Sequence, residues 1–334
     1  MGSAQGGGGD SRSSPAAGEA SLSPLLAAAF AAGGEMGERL RAFDWSATPL
    51  GSPDRWPAAL SHAMSTMLSS RAQMVVFWGE QHLAFYNDAY RPTIGDKHPA
   101  VIGQAAHRHW AETWDVLGPL LDGVRRTGVP YRGENHPFVL NRHGFLEDVY
   151  FDVSYDPIRD VDGTVSGIFC FVNETTGRVL GERRLRALAE LGNELGDVPS
   201  MRQLGRAVAR VLDAHRADVP FSALWFHDET GTLVPAGCAG VDPDIVAGPP
   251  PGLPDGEPLT APRWIATADL PGAMPPDAAD QALLLPLTAT NEPAGVLLLG
   301  VSRRLPFTDD YRDFVDLVAA QVSRAVGKQR AYEQ

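Results

Sequence analysis

The sequence predicts an α+β chain of two units, each an antiparallel sheet flanked by helices, joined by an amphipathic helix. Three observations predict this. Apolar runs of period two cluster in two groups, 74–87 with 130–173 and 221–240 with 264–301, separated by stripes of helical period. The length of 334 residues suits two domains of ~150 residues each. Between the groups, Leu185, Leu188, Leu191 and Leu195 recur at spacings of three and four.

Residues 1–20 are Gly, Ser, Ala and Pro with little apolar content, a composition that cannot offset its ordering entropy. A disordered tail is expected over 1–38, with a short helix near Glu35–Arg41. Phe43-Asp44-Trp45-Ser46-Ala47-Thr48-Pro49-Leu50-Gly51 reads as a turn-rich stretch anchored by Phe43 and Trp45. Ser52 and Pro53 give the N-cap and first position of a helix carrying Trp56, Leu60, Met64, Met67 and Leu68 on one face. Met74–Gly79 and His82–Asn87 form a hairpin. Trp110–Arg126 is a helix that Pro119 kinks or restarts. Three strands come next, 130–140, 146–158 and 164–173, with turns at Asn141–Gly144 and Asp160–Gly163.

Thr176–Leu195 is a helix whose leucine stripe is flanked by Arg183, Arg184 and Arg186 and needs a partner helix. A second helix runs from Pro199 to about Ala217, then a hairpin over 221–228 and 232–240. Residues 241–262, rich in Pro, Gly and Asp, read as a surface loop. Trp264-Ile265, 282–287 and 295–301 are strands, and Thr308-Asp309-Asp310 caps a final helix to about Arg330.

Composition narrows the function. Twenty-eight basic against 41 acidic side chains give a formal charge of −13, which disfavours nucleic acid and anionic lipid as broad-surface partners. Two cysteines in a chain of this length suit a reducing cytosol and exclude a disulfide scaffold or structural zinc cluster. No apolar run reaches the ~20 residues of a membrane helix, and no basic cluster precedes the apolar stretch at 25–32. A cytoplasmic protein is expected.

The stretch from Phe43 to Gly51 with Trp56-Pro57, the run Phe85-Tyr86-Asn87-Asp88-Ala89-Tyr90-Arg91-Pro92, and Lys97-His98-Pro99 resemble a PAS-domain subgroup of bacterial sensor histidine kinases. Tyr155–Asp160, Gly167–Cys170 and Glu174-Thr175-Thr176 are similar to its last strands and exit. Residues 186–328 resemble a GAF domain, on Ala294-Gly295-Val296-Leu297 and Pro306–Tyr311. The resemblance implies tandem PAS and GAF domains: a PAS domain over 39–176, a connecting helix over 177–198, and a GAF domain with an output helix over 199–330. Such a pair stands upstream of an effector, commonly a histidine kinase. The phosphoacceptor box and the ATP-binding boxes of that kinase do not occur in this sequence, so an excised sensory half or a stand-alone sensor without catalysis of its own is expected.

Candidate site residues are the aromatic set with one amide: Phe77, Phe85, Tyr86, Asn87, Trp110, Trp114, Phe151 and Phe169. Aromatic walls stack on flat or apolar ligands and orient them with few polar groups. Trp78, Tyr150 and Phe171 belong to the same set, and period two lets only one of Tyr150 and Phe151 face inward. Asn87 and Asp88 either gate a cavity or hold the turn, and His98 reads as a turn-capping side chain. His107 and His109 raise the alternative of a haem-loaded sensor, with a flavin-loaded one beside it, but their charged surroundings favour a solvated helix start. No cofactor or metal is expected. Cys170 and Cys238 read as small core residues. Leu185, Leu188, Leu191 and Leu195 predict a parallel homodimer that Leu188→Asp would dissociate. The partners expected are a second copy, a downstream signalling effector and an unidentified small molecule.

Overall fold

A computed structural model describes residues 22–196, 198–253, 258–290 and 292–333. Most of the tail read as disordered, residues 1–21, lies outside them. Residues 22–38 do not continue that tail. They form α1 (Pro24–Ala32), capped by the Ser23 hydroxyl, and most of α2 (Gly34–Ala42). Leu26, Phe30, Met36 and Leu40 are almost wholly buried, and this burial offsets the cost of ordering the two helices.

The next helix starts later than its cap signal. Pro53–Arg55 is a single 3-10 turn, and Trp56 is extended with ψ 142°. Pro57 imposes this on the residue before it, so α3 runs Ala58–Ser69 and Trp56 lies outside it. Strands β1 (Gln73–Trp78) and β2 (Leu83–Tyr86) pair as the expected hairpin. Two short helices come next, α4 (Arg91–Ile94) and α5 (Ala106–His109). The Trp110 stripe is broken before Pro119 rather than at it. Ala111–Thr113 is a 3-10 turn, and α6 (Trp114–Thr127) runs unbroken through Pro119. Then come β3 (Tyr131–Asn141), β4 (Leu146–Arg159) and β5 (Val165–Glu174). The first sheet has the order β2-β1-β5-β4-β3.

Two helices stand between the sheets in the chain, α7 (Thr176–Glu194) and α8 (Met201–Ala214). A second sheet is built from β6 (Ser222–His227), β7 (Leu233–Ala239), β8 (Arg263–Ala266), β9 (Ala278–Ala289) and β10 (Glu292–Ser302), and α9 (Asp309–Glu333) closes the chain. Its order, β7-β6-β10-β9-β8, repeats that of the first sheet. In each, the central strand leads straight to a long helix: β5 to α7, and β10 to α9. No helix of the described residues is long and apolar enough to cross a membrane.

The chain packs as two compact units. One comprises the residues up to Ala111 with Leu117–Tyr131 and Ser154–Val172; the other comprises Glu112–Val116, Arg132–Val153 and Asn173 onward. The hairpin 132–153 groups with the second unit because Asp148 N–H donates to the Arg304 carbonyl (3.0 Å) and the Arg304 guanidinium pairs with the Asp148 carboxylate (3.3 Å).

Both faces of the second sheet are buried. On one, Leu224, Phe226, Leu283, Leu285, Leu297 and Leu299 meet the helices. Their odd-step neighbours Ala223, Trp225, Ala282, Leu284, Val296 and Leu298 form the other core. Described residues of the surface loop, 241–253 and 258–262, also cover part of that second face: Ile245, Leu253 and Leu259 are buried there, and Trp225 Nε1 donates to the Gly248 carbonyl (2.9 Å). An all-apolar strand needs cover on both sides, and this segment supplies it. Helix α8 comes so close to β7 that a Cβ on Gly205 would stand 2.3 Å from the Ala236 carbonyl oxygen.

The leucine stripe of α7 is the main correction. Leu188, Leu191 and Leu195 are buried in the same core as Leu204, Val208 and Val211 of α8 and Val315, Val318 and Val322 of α9. Only Leu185 is open, at 68% exposure. The partner helices that the stripe requires come from its own chain, so a charge at Leu188 enters a core rather than parting two copies. Leu191→Ala is therefore expected to cost about 2–5 kcal/mol, and Leu185→Ala to stay within about 0.5 kcal/mol. Urea denaturation of the two variants measures the difference.

Candidate functional site

Strand register divides the aromatic set between two faces of the first sheet. Val75 pairs with Tyr86 and Cys170, and Phe77 with Ala84 and Ile168. Paired residues share a face and neighbours along a strand alternate. Phe77 and Tyr86 therefore lie on one face, while Phe85 and Phe169, both opposite Val76, lie on the other.

On the first face Phe77 is buried and meets Trp110 edge to face, ring centroids 5.4 Å apart. Tyr86 is fully buried, its hydroxyl 2.9 Å from His98 Nδ1. Burial pushes the Tyr86 phenol well above its ordinary range. Tyr155 lies buried in β4 and stacks on Tyr131 with centroids 5.8 Å apart. Cys170 is wholly buried, and burial raises its thiol well above the ordinary value. It is a small core residue, as expected.

His98 does not cap its own turn. Its Nε2 stands 3.2 Å from Glu35 Oε1, and Glu35 also pairs with Arg91 (2.5 Å) and Arg39 (2.8 Å). The Arg39 hydrogen bond, then that of His98, holds the Glu35 carboxyl below its usual range. Asp88 accepts from the Glu35 and Met36 N–H groups (both 3.0 Å), the first orphan donors of α2. A continuous polar path thus leads from the buried Tyr86 hydroxyl to half-exposed charges on α2.

Asn87 holds the turn. It is 1% exposed, and its amide is spent on the backbone. Nδ2 faces the carbonyls of Met67 (3.1 Å), Ser70 (3.1 Å) and Ala72 (2.7 Å), while Oδ1 accepts from Met74 and Tyr90 N–H (both 3.2 Å). It locks the end of α3 to β1 and to the turn after β2.

On the opposite face Phe85 stacks on Trp45 (5.4 Å between centroids) and meets Trp56 edge on (5.7 Å). The indole N–H groups donate to Leu40 and Gly51 carbonyls. Gly103, at φ +67°, lets the chain pass where a Cβ would stand 2.7 Å from the Trp45 ring. Phe85 is core beneath this cover. Phe169 is half-buried and stacks on Phe171, which is 38% exposed. Neither Phe85 nor Phe169 joins Phe77, Tyr86 and Trp110. Phe151 is buried against Phe138 (6.0 Å), and Trp114 is half-buried at the start of α6.

His107 and His109 sit on the single turn of α5, and the His109 carbonyl accepts from Lys97 Nζ (2.5 Å). Burial, then Lys97 and Arg108, holds the His109 imidazole below its ordinary pKa. Cys238 is half-buried with its thiol raised by burial, which disfavours the reactive thiolate.

The junction of β5 with α7 is a site that the sequence pattern does not reveal. Arg142 donates through Nη1 and Nη2 to Glu174 (2.8 and 2.9 Å) and through Nε to the buried Glu147 (3.0 Å). The Thr176 hydroxyl donates to Glu174 Oε1 (2.9 Å) and accepts from Tyr150 N–H (3.0 Å), while Thr175 N–H donates to the Tyr150 carbonyl (2.8 Å). A bidentate guanidinium pair fixes direction as well as charge. The first turn of α7 is thereby clamped to the β3–β4 hairpin.

No protein-family profile matches the chain. Among solved structures, it is similar to the GAF domain of a phosphoenolpyruvate-protein phosphotransferase from Coxiella burnetii, with 18% identity over 46% of this chain and 98% of that one, TM-score 0.36. A GAF domain assigned to a sensor histidine kinase of Pseudomonas syringae pv. tomato gives 19% identity over 47% and 95%, TM-score 0.33. The chromophore-binding domain of the Stigmatella aurantiaca bacteriophytochrome gives 12% over 76% and 93%, TM-score 0.31.

Asn87→Ala leaves several buried backbone groups unpaired and is expected to cost about 3 kcal/mol or more, read by chemical denaturation. At Glu174 burial alone would raise the carboxyl, but the bonds from Arg142 outweigh it and hold it below the ordinary 4.5. The clamp therefore stabilises fully above that value and is lost as pH falls through the lowered one. Below pH 4.5 the thermal midpoint is expected to fall more steeply in the parent than in Glu174→Gln.

Proposed function

We propose that the chain is a sensory and regulatory module without catalysis of its own, a PAS-like unit followed by a GAF-like unit. The observation that carries this reading is the route out of the first sheet. Its central strand β5 passes through the Arg142–Glu174–Thr176 clamp into α7, and α7 is buried beside α9 in one core. A change of packing on the sheet then moves a helix that cannot move alone. The two sheets of identical strand order and the motif resemblance support the same reading.

In this reading residues 39–176 receive the signal, 177–198 connect, and 199–330 pass it on. A small ligand or a protein contact acts at the Phe77, Tyr86 and Trp110 face of the first unit. The effector is a histidine kinase core or a similar cytoplasmic signalling enzyme. A second copy docks through the faces of α7 and α9 that the intrachain core leaves open, which include Leu185 and Leu317. A ligand acts only through its different affinity for the two packings.

The test is a chimera that joins α9 to a heterologous histidine kinase core. Phe77→Ala is expected to change autophosphorylation by about fivefold or more; an unchanged rate contradicts the reading. The purified chain is expected to be colourless and to take up no phosphate from labelled ATP. A visible haem or flavin band would favour a cofactor-loaded sensor, and incorporated label would make the chain itself an enzyme.

A further inference from the structure

The apolar stripe of α7 contains a charge. Between Leu180 and Leu188, four residues from each, Arg184 occupies a core position at 7% exposure. Its Nε donates to Asp218 Oδ1 (3.1 Å), and its guanidinium lies over the Tyr311 ring, 4.2 Å from the centroid. Asp218 is 1% exposed, and its other oxygen accepts from Arg183 Nε (2.5 Å). The Tyr311 hydroxyl donates to the Asp218 carbonyl and accepts from Ser302 N–H (3.0 Å). Helix α7, the loop after α8, the end of β10 and the first turn of α9 meet at this one point.

We propose that Arg184 is a register lock within the relay, and that the relay works by releasing it; this rests on the reading above. Leucines of similar size tolerate sliding and rotation against one another, whereas a buried ion pair does not. Turning α7 by one residue carries Arg184 away from Asp218 and Tyr311 and breaks both its ion pair and its stacking on the ring. A polar group at a single core position of a helical interface fixes register in this way, at some cost in stability. Asp218 has a second partner in Arg183, whose side chain is 22% exposed. When Arg184 leaves, the carboxylate keeps a counter-charge and the released guanidinium reaches water, so the lock can open without unfolding the core.

The experiment measures register directly. Nitroxide labels on Leu185→Cys and Leu317→Cys, both exposed in the single chain, in a Cys238→Ser background report the intrachain α7–α9 distance by pulsed dipolar spectroscopy once labelled chains are diluted into an excess of unlabelled ones. The parent is expected to give one distance population. Arg184→Met restores an apolar stripe, so it is expected to keep or raise the thermal midpoint while adding a second population. Asp218→Asn is expected to add it too, and Arg183→Met to leave one. A single unshifted population in both Arg184→Met and Asp218→Asn overturns the lock. Equal broadening in Arg183→Met, or broadening of Arg184→Met that appears only with a lowered midpoint, does the same. Should Arg184→Met not fold, Arg184→Lys, which keeps the charge but loses the planar fork, is read instead under the same criteria. A lock that opens while the kinase chimera ignores Phe77→Ala refutes the relay and leaves the lock standing.

Discussion

The fold depends on where α7 hides its apolar face. A helix of this length with one leucine stripe is marginal by itself, and it gains its stability by entering the core that α8, α9 and the second sheet also build. The helix that leaves the first sheet is therefore a structural member of the second unit. At its start, Arg142 and Thr176 fix the first turn to the β3–β4 hairpin of the same unit by charge-assisted and backbone hydrogen bonds.

The residues that hold the first unit together lie largely in its two Trp- and Asn-bearing stretches, 45–56 and 87–91. Asn87 ties three elements by backbone bonds, Asp88 caps α2, Arg91 pairs with Glu35, and Trp45 and Trp56 cover Phe85. They leave Phe77, Tyr86 and Trp110 as the aromatic residues of the sheet's other face, and the Tyr86–His98–Glu35 path joins that face to α2.

Much of this was legible in the sequence. The hairpins at 74–87 and 221–240 and the three long strands fall within one or two residues of their expected ends, because Gly and Asp at the turns fix them, whereas β9 and β10 begin four and three residues before the expected 282 and 295. What periodicity conceals is the partner. It shows that Leu188 and Leu191 are buried, not whether against a second copy or against α9. It hid Arg184, which reads as a flanking charge until Asp218 arrives from a loop 34 residues away. It could not assign faces to Phe85 and Tyr86, since that depends on the register with β1. Pro57 delays the helix by its local effect on Trp56, while Ile245, Leu253 and Leu259 lose their local reading to the tertiary demand for cover on the second sheet.

Residue-resolved amide hydrogen exchange on the intact chain tests the central claim most directly. The account predicts that α7 amides from Leu180 to Leu191 exchange only with the opening of the core they share with α9, at the same slow rate. Fast exchange of α7 while α9 stays protected would contradict it, for the helix would then be a free linker and not a part of the second core.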